Sequence, residues 1–198
     1  MKRKAPPSPA EVLRLRLELQ YVEPLIWREV DVISSTRLDE LHYVIQVVMG
    51  WEDDHLWAFQ AGERRFERPH EEPSVCGDLT EDASAISIET VLSGRGRRVL
   101  YNYDFGDDWL VAITMVSAGP LEQSVHHPRC VAGERAGPLE DSGGPPGYER
   151  LLEVRKKPRS REAKALLEWA GEDWDPGAFD IQAANKELAR LLAPRRLQ

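Results

Sequence analysis

From Val12 onward the chain alternates between apolar and polar positions. Leu13, Leu15, Leu17 and Leu19 are separated by Arg14, Arg16 and Glu18. A period of two is that of a half-buried strand, because successive side chains leave opposite faces. Pro24 breaks the run and residues 26–32 read as a second strand, so the pair predicts a hairpin. Ser34-Ser35-Thr36 then offers N-cap oxygens, and Asp39 suits the exposed N–H groups of a first turn. Leu38, Leu41, Ile45 and Val48 follow at helical spacing, and Gly50 stands where a left-handed C-cap is wanted. The spacing predicts a helix over residues 37–49.

Residues 56–61 and 64–66 read as two short strands around Gly62-Glu63. The acidic, aperiodic stretch 67–84 reads as a surface loop, residues 86–92 as a short helix, and residues 93–96 as a turn. Val99, Tyr101, Tyr103 and Phe105 alternate along one strand; Trp109, Val111, Ile113 and Met115 alternate along the next. Gly106, Asp107 and Asp108 lie between them, which predicts a second antiparallel hairpin. Residues 117–147 are rich in Gly and Pro and read as a long irregular stretch, a length unusual outside functional or disordered segments. Three helical patterns follow, at 148–154, 162–170 and 181–192. Strands crowd the front and helices the end. The expected fold is α+β: a mainly antiparallel sheet with an N-terminal hairpin, a helix packed on it, and C-terminal helices.

The chain has 198 residues, 41% of them hydrophobic and 30% charged, which fits an ordinary globular protein. Residues 1–10 carry three basic residues and three prolines and read as a flexible basic tail, leaving 11–198 as a single domain. No apolar run approaches the roughly 20 residues of a membrane span. No apolar stretch follows the charged start, and the chain has two cysteines, Cys76 and Cys130. Together these point to a cytoplasmic protein with free thiols and no membrane partner. The formal net charge of -8 works against polyphosphate partners, so specific nucleic-acid binding is not expected.

Two segments carry candidate chemistry. The turn Tyr103-Asp104-Phe105-Gly106-Asp107-Asp108-Trp109 packs three carboxylates into five positions. Such charges repel unless a cation, a guanidinium or backbone N–H groups compensate them. The turn is therefore either a pocket rim for a hard cation or basic ligand, or ordinary Asp and Gly turn chemistry. The segment from Cys130 to Tyr148 holds glycines at 133, 137, 143, 144 and 147 beside Glu134, Arg135, Glu140 and Asp141. It reads as a binding-site wall opposite the aspartate hairpin, or as an Ω-type loop held by Arg135–carboxylate pairs. The ligand-binding candidates are Asp104, Asp107, Asp108, Trp109, Glu134, Arg135, Glu140, Asp141 and Tyr148. No catalytic residue is assigned. His126 and His127 are neighbours with Cys130 the nearest thiol, a poor set for zinc, and no metal or other cofactor is expected. His42 lies within the helix, and His55, after Glu52-Asp53-Asp54, reads as a salt-bridged surface residue.

These motifs have a familiar order: Pro24-Leu25-Ile26-Trp27-Arg28, Leu41-His42-Tyr43-Val44-Ile45-Gln46, Met49-Gly50-Trp51, His55-Leu56, the aspartate hairpin, Cys130-Val131-Ala132-Gly133-Glu134-Arg135 and Glu140 to Tyr148. Over about residues 12–190 the chain resembles the plasmid pRiA4b ORF-3-like family, also described as passenger resolvase-like proteins of insertion elements. The resemblance implies an α+β fold and a link to mobile elements, but no established enzymatic activity. Family members often carry cysteines where this chain has Gly137 and Ser142, and histidines where it has Trp57 and Val111. A soft-metal site in the family would therefore be lost here. The leading expectation is a non-enzymatic binding or accessory module whose acidic cleft holds a small cationic or peptide-like ligand. The alternatives are a metal-assisted hydrolase using Asp104, Asp107 or Asp108 with Glu140 or Asp141, and a DNA-binding accessory protein.

Overall fold

A computed structural model describes residues 11–68, 80–93, 98–121, 128–158, 160–171 and 173–192. The basic tail, the turn at residues 94–96, His126 and His127 lie outside the described residues. The alternating leucines form β1 (Glu11–Leu19), antiparallel to β2 (Trp27–Ile33). Leu13, Leu15, Leu17 and Leu19 are all buried, while the opposite face carries Arg14, paired at 2.7 Å with Asp31, and Arg16, which covers the Trp27 ring. Helix α1 (Leu38–Met49) buries Leu41, Ile45 and Val48 in the same core and ends on Gly50 at φ 81°.

The remaining strands are β3 (Trp57–Ala61), β4 (Arg64–Glu67), β5 (Thr80–Asp82), β6 (Arg98–Tyr103), β7 (Trp109–Pro120) and β8 (Arg129–Glu134). They form an eight-stranded sheet in the order β5-β4-β3-β6-β7-β1-β2-β8. Every pairing is antiparallel except β4 with β5. Helices α2 (Ile88–Leu92), α3 (Gly144–Lys156), α4 (Arg161–Ala170) and α5 (Ile181–Leu192) complete an α+β fold with a sheet-dominated core. Among the described residues no helix is long and apolar enough to cross a membrane.

Four local expectations need correction. Arg37, not the Ser34–Thr36 stretch, is the N-cap of α1, and its N–H donates to Glu40 Oε2 at 2.9 Å. Ser34 and Thr36 instead lend backbone carbonyls to Glu89 and Ile88. The expected loop at 67–84 contains β5, too short to show a period. The expected irregular stretch contains the end of β7 and all of β8; β8 buries only Cys130, so it shows no alternation. Its edge is guarded by α5, where the Asn185 amide bonds both the N–H and C=O of Cys130 at 2.8 Å. Finally, α3 begins four residues before Tyr148. Pro145 and Pro146 occupy its first turn, where a missing N–H leaves no helical bond unmade.

Candidate functional site

The aspartate hairpin joins β6 to β7, with Tyr103 paired to Trp109 across its base. Asp104 and Asp108 sit at φ 56° and 55°, a conformation that a short polar side chain tolerates. The Asp104 N–H donates to the Leu56 carbonyl at 2.9 Å, which ties the hairpin to the chain entering β3. One Asp104 oxygen accepts the Gly106 N–H, and the other lies 3.8 Å from His55 Nδ1. Asp141, at φ 56° in the glycine-rich loop, lies 3.3 Å from His55 Nε2. Thus His55, Asp104 and Asp141 each place a ligand atom within 4.8 Å of the others.

A second group, Glu52, Asp54 and Glu140, meets the same spacing. The two groups are joined through Tyr103. Its hydroxyl donates to Glu140 and accepts the Asp54 N–H, while His55 stands edge-on to its ring. Burial pushes the Tyr103 phenol well up, and the Glu140 carboxylate pushes it further, so it remains a protonated donor. Among the described residues, no Lys or Arg pairs with Glu52, Asp54, Asp104, Glu140 or Asp141.

The sequence pattern of the plasmid pRiA4b ORF-3-like family matches residues 11–183. The chain belongs to that family. It is also similar to the uncharacterized protein y4hQ of Sinorhizobium fredii (strain NBRC 101917 / NGR234), with 34% identity over 186 residues, 93% of this chain and 94% of that one. The crystal structure of a protein of unknown function, MM3350 from Methanosarcina mazei Go1, matches with a TM-score of 0.80 at 32% identity, covering 88% of this chain and 98% of that chain.

In this member of the plasmid pRiA4b ORF-3-like family the candidate residues separate into two sets. Asp104, Glu140 and Asp141 converge on the rim. Asp107 and Asp108 belong to neither group. Asp107 accepts the Gly143 N–H at 3.0 Å, at the start of α3, and Asp108 accepts from the Asn102 amide. Gly144 lies so close to the Asp107 carbonyl that a Cβ there would stand 2.3 Å from it, and a Cβ on Gly137 would stand 1.9 Å from the Met49 carbonyl. These glycines let the loop approach its own chain. The Arg135–carboxylate pairs expected to hold it do not form among the described residues; Arg135 lies beside the buried Tyr148 hydroxyl instead. Trp109 is buried beside Trp51, and Glu134 accepts from the Trp27 indole at 3.3 Å.

The positions at which the resemblance raised the question of a soft-metal site are engaged otherwise in this chain. Trp57 stacks on His42, Val111 is in the core, and the Ser142 hydroxyl donates to the Leu139 carbonyl. Cys130 is buried and its thiol is pushed up to about 11 by burial; it belongs to neither ligand group. Glu52, Asp54 and Tyr103 join the site although they are not among the candidates expected from the sequence, and His55 pairs with Asp104 and Asp141 rather than with its chain neighbours. The acidic run at 52–54 was visible, but its meeting with Glu140 depends on tertiary contacts.

Proposed function

We propose that this protein is a cation-binding module, with a hard divalent ion as the ligand its acidic rim fits best. The carrying observation is the His55, Asp104 and Asp141 group, whose ligand atoms lie within 4.8 Å of one another, with no Lys or Arg paired to either carboxylate among the described residues. Ligands about 2.0–2.6 Å from an ion stand at most about 4–5 Å from each other, so the spacing suits one shared cation. Carboxylates that close repel, and a bound cation relieves the repulsion. Asp141 is 74% exposed at its side chain, which leaves the group open to solvent.

A second reading, a peptide-like ligand with a basic side chain, is favoured by a different observation. Leu56 and Phe105 are 57% and 45% exposed and are the chain neighbours of His55 and Asp104, and the Asp104 N–H bond to the Leu56 carbonyl joins the two segments. Calorimetric titration with Mn²⁺, Ca²⁺ and a short Lys-Leu peptide separates the two. We expect Mn²⁺ to bind, to raise the melting temperature by mass action, and to lose both effects in an Asp104→Asn/Asp141→Asn variant. Binding of the peptide alone supports the second reading. No response to millimolar Mn²⁺, Ca²⁺ or peptide would sink both.

A further inference from the structure

Asp53 stands in the middle of the stretch that supplies Glu52, Asp54 and His55 to the rim, yet it belongs to neither ligand group. Its backbone N–H and one carboxylate oxygen are held from inside the protein, while the other oxygen lies 3.9 Å from the exposed Arg68 guanidinium. The backbone N–H can only donate, and its partner is Gln46 Oε1 at 2.9 Å. That contact orients the Gln46 amide, so its NH₂ donates to the Tyr101 hydroxyl oxygen at 2.8 Å. Tyr101 keeps one proton of its own, which faces His42 Nδ1 at 2.8 Å, so that nitrogen accepts. Burial pulls the His42 imidazole down to about 4, so the ring is neutral at physiological pH and carries its proton on Nε2. Nε2 lies 2.7 Å from Asp53 Oδ1. The four groups therefore donate in one direction around a closed ring that begins and ends at Asp53.

Each member of the ring has a rigid seat. His42 and Gln46 are one turn apart on the buried face of α1, and Tyr101 is a fully buried residue of β6. The His42 ring stacks on Trp57 at 4.3 Å between centroids. The residues either side of Asp53 are tied as well, Glu52 N–H to Glu140 at 3.1 Å and Asp54 N–H to Tyr103 at 3.2 Å. We propose that the His42–Gln46–Tyr101 ring is a positioning device: by gripping Asp53 through backbone and side chain, it presents Glu52, Asp54 and His55 at the spacing a cation needs. This rests on the cation-binding reading above. A segment ordered before binding loses no conformational freedom when the ion arrives, so loss of the grip appears as weaker binding.

The test titrates Mn²⁺ into the full chain and four variants at a temperature where circular dichroism shows them folded. Asp53→Asn keeps an oxygen that accepts from His42 Nε2–H, and we expect it to bind within about twofold of the parent. Asp53→Leu and His42→Phe remove the grip, and we expect each to bind at least tenfold more weakly, with an altered Mn²⁺ electron paramagnetic resonance spectrum. Asp104→Asn is the control for the site itself. If it leaves binding intact, the cation reading fails whatever Asp53 does. If it abolishes binding while Asp53→Leu binds like the parent, the positioning role fails. Equal losses in Asp53→Asn and Asp53→Leu would make the Asp53 charge, not the grip, the operative feature and overturn the proposal. A second readout needs neither ion nor variant: long-range ¹⁵N spectra of His42 at pH 7 should show the Nε2–H tautomer. The Nδ1–H form or an imidazolium would break the ring and overturn the proposal even if a variant failed to fold.

Discussion

Burial pulls His42 to about 4 from an ordinary 6.5, against the opposing pull of the Asp53 carboxylate. The sign of the consequence for stability follows from proton counting. Below about pH 6.5 the unfolded chain takes up a proton that the folded ring refuses until about pH 4. This contribution to stability is therefore complete above pH 6.5 and is lost as the pH falls towards 4. A shift of that size corresponds to a loss on the order of 3 kcal/mol over the window. Urea unfolding at pH 7 and pH 5 should show the drop in the parent chain. In His42→Phe stability at pH 7 should be lower, but the fall between the two pH values should shrink. An unchanged fall would mean that other groups carry the acid response.

The aspartate hairpin and the start of α3 are joined by one side-chain-to-backbone hydrogen bond and one close backbone approach. Asp107 supplies the carboxylate that the Gly143 N-cap cannot, accepting a backbone N–H where the helix presents its positive end. Gly144 permits the close approach to the Asp107 carbonyl. Replacing Asp107 with Ala should cost about 1 kcal/mol, as N-cap losses typically do. For a chain of this size that lowers the melting temperature by about 2–4 °C. Asp107→Asn, which keeps an acceptor, should lose less. The same docking carries Glu140 and Asp141 over the end of the sheet towards Tyr103 and His55. Weaker docking should therefore also weaken Mn²⁺ binding in Asp107→Ala, and calorimetry of that variant reads both effects.

Across the whole molecule, a net charge of -8 opposes association with duplex DNA. We expect a gel-shift at physiological salt to show no sub-micromolar, sequence-selective complex; one that survived deletion of residues 1–10 would overturn this. The sequence by itself determined most of the elements, because periodicity is a local property. Four alternating leucines make β1 a half-buried strand wherever it pairs, and Leu38, Leu41, Ile45 and Val48 can share one face only as a helix. Elements with weak local signals leave no such pattern in the chain. β8 buries one residue, β5 is only three residues long, and the first turn of α3 is built from Gly and Pro. Within the candidate site, Asp104, Glu140 and Asp141 were legible as unusual carboxylates. Their division from Asp107 and Asp108 was not, since neighbours on a turn can face different partners. Tertiary structure alone decided that His55 meets Asp104 and Asp141, and that Glu140 meets Tyr103. The pairing of Trp57 with Tyr103 brings the first two segments together, and the hairpin–α3 docking brings the third. Pairing register and loop docking belong to contacts between distant parts of the chain, and residue spacing along the sequence carries no record of them.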